Sequence, residues 1–490
     1  MGKDILKLKP EALWKNFYSL TQIPRPSKSE AQVRNFVVEF GNNLGLETIV
    51  DEVGNVIIRK PATPGMENRK GAILQSHLDM VPQKNSGTKH DFEKDPIDAW
   101  VDGEWVKARG TTLGADNGIG AAAAMAVLES KDIPHGPVEA LFTIDEETGM
   151  TGAFGLKPGV LKGDILLNMD SEDEGELYIG CAGGTNANIK FTYQEVPVPS
   201  GMVAFKLGVT GLKGGHSGVD IHLGRGNSNK ILNRFLWHAA KKHGLRLAAI
   251  DGGSLRNAIP RESFAVVVVP EANREDFMNC LAKLEEIVRK ELSAVEPDLK
   301  LEALPAELPK TLIDESTQNR LFNAIYGCPN GVMRMSNEMT GLVETSTNLA
   351  IVKSENGQIK VMCLLRSSVD SAKSDLEQMM QSVFELAGAE ITFDGQYPGW
   401  KPNPASPILK TMQEIYQNKW GKVPEIRAIH AGLECGLLGG VYPQWDMISF
   451  GPTIRYPHSP DEKVNVETVG KFWDFLVETL NHFPARTDLA

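Results

Sequence analysis

Four apolar runs that resemble β-strands each lead to side chains of the types that bind metal ions. The runs are GAILQS, VEALFTI, DILLNM and WDMISFGPTIRYP, and the residues that follow them are His77, the triplet Asp145-Glu146-Glu147, Asp170 and His458. A fifth candidate, Asp116, lies in TLGADNG, just before a helix-like run of small residues. In open α/β sheets, ligands bind beyond the carboxyl ends of the strands, so we expect these five positions to converge.

Two histidines with three carboxylates form a ligand set that suits a pair of divalent ions, zinc first, with cobalt or manganese as substitutes. In hydrolytic sites one aspartate commonly bridges two such ions about 3.5–4 Å apart. Asp79 lies two residues after His77 on the same strand end. It therefore shares a face with His77 and could accept the imidazole N–H. Of the adjacent Glu146 and Glu147, one could bind metal while the other acts as general base.

Each of these residues also has a simple structural explanation. Asp116 before a helix could be an N-cap, worth about 1 kcal/mol. The acidic triplet could be a solvated turn, and a histidine at a strand end could be a structural residue. The repetition of metal-ligating residue types at strand ends favours a metal site, because sheet topology brings such ends together.

Length and composition limit the classes of protein to consider. A chain of 490 residues exceeds one ordinary hydrophobic core, which predicts two domains. The formal charge of −12 argues against nucleic acid or an anionic membrane as partner. No apolar stretch approaches a signal peptide or a membrane span. Five scattered cysteines without a CxxC spacing predict a reduced, cytoplasmic protein.

The order of predicted elements indicates how these residues are positioned. Strands and helices alternate in the first part of the chain, which is typical of an open α/β sheet. Residues 186–396 instead predict antiparallel strands with long amphipathic helices, an inserted α+β domain that could consist of two related halves. Residues 1–185 and 397–490 would then form one discontinuous domain. Ser27 and Glu30 have the spacing of a capping box before a helix that contains Val33 and Phe40.

The motifs HLD, GADNGIG, DEETG, NMDSED and PHSP, in this order, resemble the M20 metallopeptidases. Within that family the chain is most similar to the bacterial aminoacyl-histidine dipeptidase branch. The resemblance extends over nearly the whole chain through GLKGGHSGVDIHLGRGN, RNAIPRE, NEMTGLVETSTNLA, HAGLECG and SFGPTIRYPHSP.

The resemblance implies two Zn²⁺ per subunit and a division of the ligands between them. Site one would be His77, Asp116 and Asp170, and site two would be Asp116, Glu147 and His458, with Asp116 bridging. Glu146 would be the general base, and Asp79 would orient His77. The Asp116–Asn117 peptide bond is expected to be cis.

The implied reaction is hydrolysis of unblocked dipeptides, of the Xaa-His type and with broad specificity, by a metal-bridging water that Glu146 activates. Asp170 stands where dipeptidases and aminopeptidases of the family tend to carry Asp, whereas carboxypeptidases and aminoacylases tend to carry Glu. An M20 aminoacylase or deacetylase acting on N-acyl amino acids is the alternative. A non-catalytic peptide-binding relative would lack a ligand or the base, and all of them are present here.

The inserted segment would be a lid or dimerisation domain over a discontinuous catalytic domain with a mixed sheet. His216 resembles the family histidine that stabilises the oxyanion, often in a partner subunit, although a Gly-rich turn would also explain it. Asn257 and Arg366 resemble residues that hold the substrate carboxylate, with a surface salt bridge as the alternative for Arg366. Gly432 could give the substrate close backbone access or could simply form a turn. A homodimer is expected, although a lid of this length could replace the dimer contact.

Overall fold

The computed structural model describes residues 3–486, which fold into two compact units. The first comprises the chain up to Gly180, Pro402–Ala428 and the chain from Leu433 onward, and the second comprises Cys181–Lys401 and Ile429–Gly432. The limits therefore fall at 180/181 and 401/402 instead of the predicted 185/186 and 396/397. Four residues of the HAGLECG region also join the second unit, where the sequence placed them in the first.

An eight-stranded mixed sheet forms the first unit, and this confirms the predicted α/β class. Four of its strands run parallel, and three of these are buried along their whole length. The three buried strands are Ala72–His77, Val138–Thr143 and Ile165–Asn168, and the fourth is Asp446–Ser449. Such strands consist of continuous apolar runs because both faces are covered. Across the sheet the order is Glu47–Val50, Val56–Lys60, Val138–Thr143, Ala72–His77, Ile165–Asn168, Asp446–Ser449, Glu176–Cys181 and Glu425–Ile429.

A smaller sheet and nine helical segments complete the described part of the first unit. Two long helices begin at side-chain caps, because Ser406 accepts from the N–H of Leu409 and Asn465 accepts from the N–H of Thr468. The small sheet has the order Ile454–Arg455, Lys463–Asn465, Trp105–Ala108 and Ala99–Asp102. The helices are Ile5–Lys7 (3₁₀), Glu11–Thr21, Ala31–Asn43, Ala115–Glu129, Glu146–Gly149, Thr151–Gly155, Pro407–Trp420, Glu434–Val441 and Val466–Asn481.

The predicted capping box at Ser27 and Glu30 is wrong. The helix begins at Ala31, and Glu30 makes no side-chain cap hydrogen bond. The Ser27 hydroxyl instead donates to Asp79 Oδ2 at 2.8 Å, and Glu30 Oε1 accepts from the backbone N–H of Asp145 at 3.0 Å. Both side chains thus support residues near the strand ends, far away in sequence.

The second unit is built on an antiparallel sheet of nine strands, as the α+β pattern predicts. Its apolar face packs on long helices around a core that includes Phe191, Phe235, Phe277 and Phe384. The strand order is Lys300–Ala306, Met202–Thr210, Ser263–Pro270, Arg246–Gly252, Val343–Glu355, Gln358–Ser367, Gly183–Thr192 and Glu390–Tyr397, and Gly331–Met335 pairs with Val343–Glu355. The main helices are Ser228–His243, Arg274–Glu291, Glu315–Gly327 and Asp370–Leu386.

Two short ribbons and two short helical turns complete the second unit's described elements. The ribbons pair Glu195–Pro197 with Thr311–Ile313 and Gly215–His216 with Ala258–Ile259, and the 3₁₀ turns are Ile221–Leu223 and Glu271–Asn273. Within residues 3–486, no helix has both the length and the apolar character needed to cross a membrane.

Candidate metal centre

The parallel strands of the first unit bring the predicted ligands to one edge of the sheet. His77 is the last residue of its strand, Asp170 follows Asn168 by two residues, and the acidic triplet follows Thr143 after Ile144. Strand Ala72–His77 lies between the other two with parallel register on both sides. The carboxyl ends of these strands therefore meet, as the sequence predicts.

His77 faces two of the predicted carboxylates with the same ring nitrogen. Its Nε2 lies 3.1 Å from Asp116 Oδ1 and 3.4 Å from Asp170 Oδ1. The imidazole is 1% exposed, so its environment consists of protein atoms. These three residues form one group whose ligand atoms could hold a metal ion.

His458 makes the equivalent contacts with the other oxygen of Asp116. Its Nε2 lies 3.2 Å from Asp116 Oδ2 and 3.0 Å from Glu147 Oε2, and these three residues form a second group able to hold an ion. Asp116 thus directs one carboxylate oxygen to each histidine. This is the arrangement that a carboxylate bridging two ions requires.

Unpartnered oxygens and crowded negative charge show that the cluster fits divalent cations. Glu147 Oε1 and Asp170 Oδ1 are buried without a hydrogen-bond partner, which is costly for a carboxylate unless a ligand binds it. Burial, together with the charges of Asp116 and Glu434, raises the pKa of Asp170 to about 8 despite the opposing effect of His77. Burial and nearby carboxylates also raise the pKa of Glu172 to about 9. A cation would relieve both effects.

The negative charge of the carboxylates also affects the pKa values of His77 and His458. Hydrogen bonds that the imidazole donates to Asp116 and Glu147 raise the pKa of His458 to about 11 against the effect of burial. Burial would lower the pKa of His77, but the charge of Asp170, the hydrogen bond to Asp116 and the close contact with Asp170 raise it well above its ordinary value. Positive charge is therefore favoured at both positions.

Asp79 contacts the remaining ring nitrogen of His77 and also the turn that carries the glutamates. His77 Nδ1 lies 3.1 Å from the backbone carbonyl oxygen of Asp79 and 3.3 Å from Asp79 Oδ1. Oδ1 also accepts from the backbone N–H of Glu146 at 3.0 Å, and Oδ2 accepts from that of Glu147 at 3.2 Å. Although burial opposes it, these bonds and the charge of His77 lower the pKa of Asp79 to about 2. Asp79 thus fixes His77 and the glutamate turn together, whereas the sequence predicted only the first contact.

Glu146 lies beside the cluster without taking part in either three-residue group that contains Asp116. Its Oε2 is 4.0 Å from His77 Nε2, and its side chain is 17% exposed. Burial raises the pKa of Glu146 well above its ordinary value, and the charges of Asp170, Glu434 and Glu147 add to that effect against His77. A carboxylate in such surroundings has an increased proton affinity, as a general base near neutral pH requires.

Glu462 holds the loop that carries Asp116, a contact the sequence did not predict. Its buried carboxylate accepts four consecutive backbone N–H groups. Oε2 accepts from Leu113 at 2.7 Å and Gly114 at 2.9 Å, and Oε1 accepts from Ala115 at 2.8 Å and Asp116 at 3.2 Å. We refer to this set of four N–H groups and Glu462 as the Glu462 cradle.

Arg25 holds the other side of the same loop. Its guanidinium, 2% exposed, donates to the carbonyls of Gly114 at 2.5 Å and Leu78 at 2.9 Å. Gly114 has φ +73°, and a Cβ there would lie 2.5 Å from Arg25 Nη2, so this position requires glycine. The Asp116–Asn117 peptide bond that follows is cis, as the resemblance implies.

Glu434 is a second buried carboxylate whose position the sequence left without a role. Its Oε2 accepts from Gln75 Nε2 at 2.6 Å and from the Thr143 hydroxyl at 2.9 Å, and burial raises its pKa to about 7. Oε1 has no hydrogen-bond partner. Gln75 and His77 are two residues apart on one strand, so their side chains point to the same face of the sheet. Glu434, which bonds to Gln75, therefore lies on the face that carries His77.

In the second unit, the structure fixes the tautomer of His216. Its Nδ1 accepts from the backbone N–H groups of Gly218 and Val219, each at 3.1 Å. Burial and the charge of Arg366 lower the pKa of His216. The imidazole is therefore neutral with its proton on Nε2, which leaves Nε2–H as a donor.

The other residues predicted to bind substrate also belong to the second unit. Ala258 pairs with His216 in a ribbon, so the exposed Asn257 lies beside the histidine loop. Arg366 is 5% exposed and forms no ion pair with any described residue, which excludes the surface salt bridge. Its Nη1 donates to Tyr397 Oη at 3.3 Å, and a Cβ on Gly432 would lie 3.2 Å from the ring of the same tyrosine. Their roles stay predictions.

Comparisons with known proteins identify the family. The model of peptidase family M20/M25/M40 matches residues 73–482. The chain is 48% identical over 484 residues to the cytosol non-specific dipeptidase of Escherichia coli K12, covering 99% of this chain and 100% of that one. It superposes on aminoacylhistidine dipeptidase from Vibrio alginolyticus with a TM-score of 0.94 and 51% identity, covering 99% of both chains.

A more distant structure shows how far the fold extends. Aminopeptidase PepT from Bacillus cereus shares 17% identity with a TM-score of 0.57, over 97% of this chain and 98% of that one. M20 peptidases depend on metal ions, in agreement with the ligand groups around Asp116. The family predicted from the motifs is confirmed, and the chain belongs to peptidase family M20/M25/M40.

Proposed function

We propose that the chain is a metallo-dipeptidase that hydrolyses the peptide bond of dipeptides with free termini, including those that end in histidine. The observation that carries this proposal is the pair of ligand groups joined through Asp116, with Glu146 beside them. The restriction to dipeptides follows from similarity over the full length to two proteins named as dipeptidases.

The ion-binding residues would be His77, Asp116 and Asp170 at one site and Asp116, Glu147 and His458 at the other. We propose zinc as the ion, with cobalt or manganese as substitutes, because imidazole and carboxylate together suit these borderline cations. When bound, such a pair of ions polarises the scissile carbonyl and makes an attacking water more acidic.

Glu146 would carry the proton between the two halves of the reaction. Its Oε2 takes a proton from the attacking water and later gives it to the nitrogen of the leaving amine. The raised pKa of Glu146 supports this role, since a carboxylate of ordinary acidity would be a weaker base. Asp79 positions this group by accepting the backbone N–H of Glu146.

Residues of the second unit would bind the rest of the substrate. The neutral His216 has its Nε2–H free to donate to the oxyanion that forms on the scissile carbonyl. The buried guanidinium of Arg366 would pair with the free carboxylate, since Arg366 Nε lacks a partner. Asn257 and the backbone at Gly432 would also contact the substrate. We also propose a homodimer and a cytoplasmic location, the latter supported by the name of the Escherichia coli relative.

A substrate panel on the zinc-loaded protein tests this function. Free dipeptides, including several that end in histidine, should be hydrolysed, whereas the same dipeptides with an acetylated amino terminus or an amidated carboxyl terminus should not. An N-acetyl amino acid serves as the competing substrate. Faster hydrolysis of the N-acetyl amino acid would assign the chain to the aminoacylases of the family instead.

A further inference from the structure

Two histidines and a cysteine meet on the surface of the second unit. His238 and His243 lie in helix Ser228–His243, and Cys280 lies in helix Arg274–Glu291. The ligand atoms of the three residues all lie within 4.8 Å of one another. We propose that this His-His-Cys cluster binds a further divalent transition-metal ion of the zinc class, separate from the ions at the candidate metal centre.

The packing of the two helices fixes where the cluster forms. Phe235 and Phe277 are fully buried, and their ring centroids are 5.3 Å apart. His238 follows Phe235 by three residues and Cys280 follows Phe277 by three, so each lies about one turn beyond this contact. His238 and Cys280 therefore lie on two helices that pack against each other, and His243 is the last residue of the first of these helices.

The ligand atoms are available. Within the described residues 3–486, no hydrogen bond involves the ring nitrogens of His238 or His243 or the thiol of Cys280. Cys280 is also the one cysteine of the five that is not buried. Burial and the charge of His238 lower the pKa of His243, which keeps its imidazole neutral and able to bind a cation.

The set of ligands is chemically suited to zinc. Thiolate and imidazole are the nitrogen and sulfur ligands of tetrahedral zinc sites, with bonds of about 2.0–2.3 Å, which place ligand atoms about 3.3–3.6 Å apart. Rotation of the exposed His238 would close the remaining distance. Asp276 lies one helical turn before Cys280 and lines the same surface cavity of about 530 Å³. Its carboxylate could supply the fourth ligand, and the cavity gives a hydrated ion access.

Cobalt absorption tests the proposal, because a thiolate bound to Co²⁺ gives an intense charge-transfer band in the near ultraviolet. None of the residues at the candidate metal centre is a cysteine, so such a band would report the His-His-Cys cluster alone. The full-length protein, stripped of metal and titrated with Co²⁺, should develop the band, and added Zn²⁺ should remove it. The band should be lost in Cys280→Ser and weakened in His238→Ala and His243→Ala. It should be retained in His482→Ala, an exposed histidine of the first unit.

A second measurement on the unaltered protein does not depend on how the variants fold. Zn²⁺ should slow alkylation of Cys280, followed by mass spectrometry, because the bound thiolate is no longer a free nucleophile. Absence of the cobalt band from the wild-type protein, its persistence in Cys280→Ser, or an alkylation rate unaffected by Zn²⁺ would each overturn the proposal. Dipeptide hydrolysis should be unchanged in Cys280→Ser, so failure here is distinguishable from failure of the proposed function.

Discussion

Replacing Glu462 by glutamine should weaken metal binding at the candidate centre while leaving the fold intact. The carboxylate accepts four backbone N–H groups, two on each oxygen. The amide retains one acceptor oxygen and directs its NH₂ group at two of these donors. Each buried donor left without an acceptor costs about 1–3 kcal/mol, so the cradle loses about 2–6 kcal/mol.

This cost should appear in the metal affinity because the loop carries Asp116, the residue that we propose bridges the two ions. Without bound ions, the loop of the variant can turn its unpaired N–H groups toward water. Binding then requires the loop to return to its original geometry, at the expense of binding free energy. A cost of 2 kcal/mol corresponds to about 30-fold weaker binding, since about 1.4 kcal/mol is a factor of ten.

Competition with a chromogenic chelator measures the metal affinity. The unfolding temperature of the ion-free protein shows whether the fold is intact. Glu467→Gln is the matched control, because Glu467 is an exposed glutamate five residues further on that pairs with Lys471. At saturating metal, the Glu462→Gln variant should recover much of its activity. Unchanged metal affinity in the variant would refute the reasoning, whether or not the unfolding temperature of the ion-free protein is lower.

Three further outcomes follow from the geometry. Glu146→Gln should keep both ions by elemental analysis but lose about 10²–10⁴-fold in turnover of dipeptides, and near-normal turnover would exclude Glu146 as the base. His458→Ala should retain one ion per chain and Asp116→Ala none, because Asp116 contacts both histidines; equal stoichiometry in the two variants would contradict the bridge. Burial and the charge of Arg366 lower the pKa of His430 from 6.5 to about 3, so the unfolded chain binds a proton below pH 6.5 that the folded protein does not. Stability from this residue is thus complete above pH 6.5 and falls toward pH 3, by up to about 1.4 kcal/mol per pH unit. Denaturant unfolding at pH 7.5 and 5 should show a smaller acid-induced loss in His430→Gln than in the wild-type protein, and equal losses would contradict this.

The edge of the sheet could be predicted because its determinants are local. An apolar run such as GAILQ or DILLN specifies a buried strand, and the residue type that follows it specifies what the strand end carries. Parallel pairing then brings His77 and Asp170 together without any further information about the fold. The proximity of these two side chains therefore followed from two short segments and one general property of α/β sheets.

The capping box failed because a local pattern competed with distant partners. An N-cap hydrogen bond is worth about 1 kcal/mol, whereas a hydrogen bond to a charged group contributes about 1.5–3 kcal/mol. Ser27 bonds to the buried carboxylate of Asp79, 52 residues away. The spacing of Ser27 and Glu30 contains no information about that partner, so sequence periodicity could not predict the outcome.

The supports of the metal centre were beyond prediction for a related reason. Glu462 contacts backbone N–H groups 346 to 349 positions earlier in the chain. Nearly every residue has a backbone N–H group, so the residue types in the sequence do not show which of these groups bind a carboxylate. The one available signal was an acidic residue shortly after the PHSP motif, which a solvated turn explains equally well.

The hydrogen-bond partners of these supports explain why the candidate centre keeps its negative charge. Asp79 and Glu462 direct their carboxylates at backbone N–H groups, and the buried Arg25 donates to backbone carbonyls. The loops are thus fixed by backbone contacts, and Arg25 forms no hydrogen bond to the carboxylates of Asp170 or Glu147. Oxygens of both remain buried and unpartnered, surrounded by negative charge. A lysine or arginine that neutralised this charge would lower the affinity of the proposed site for divalent ions. The fold instead fixes the loops through backbone hydrogen bonds, so that the carboxylate charge remains for a bound ion to neutralise.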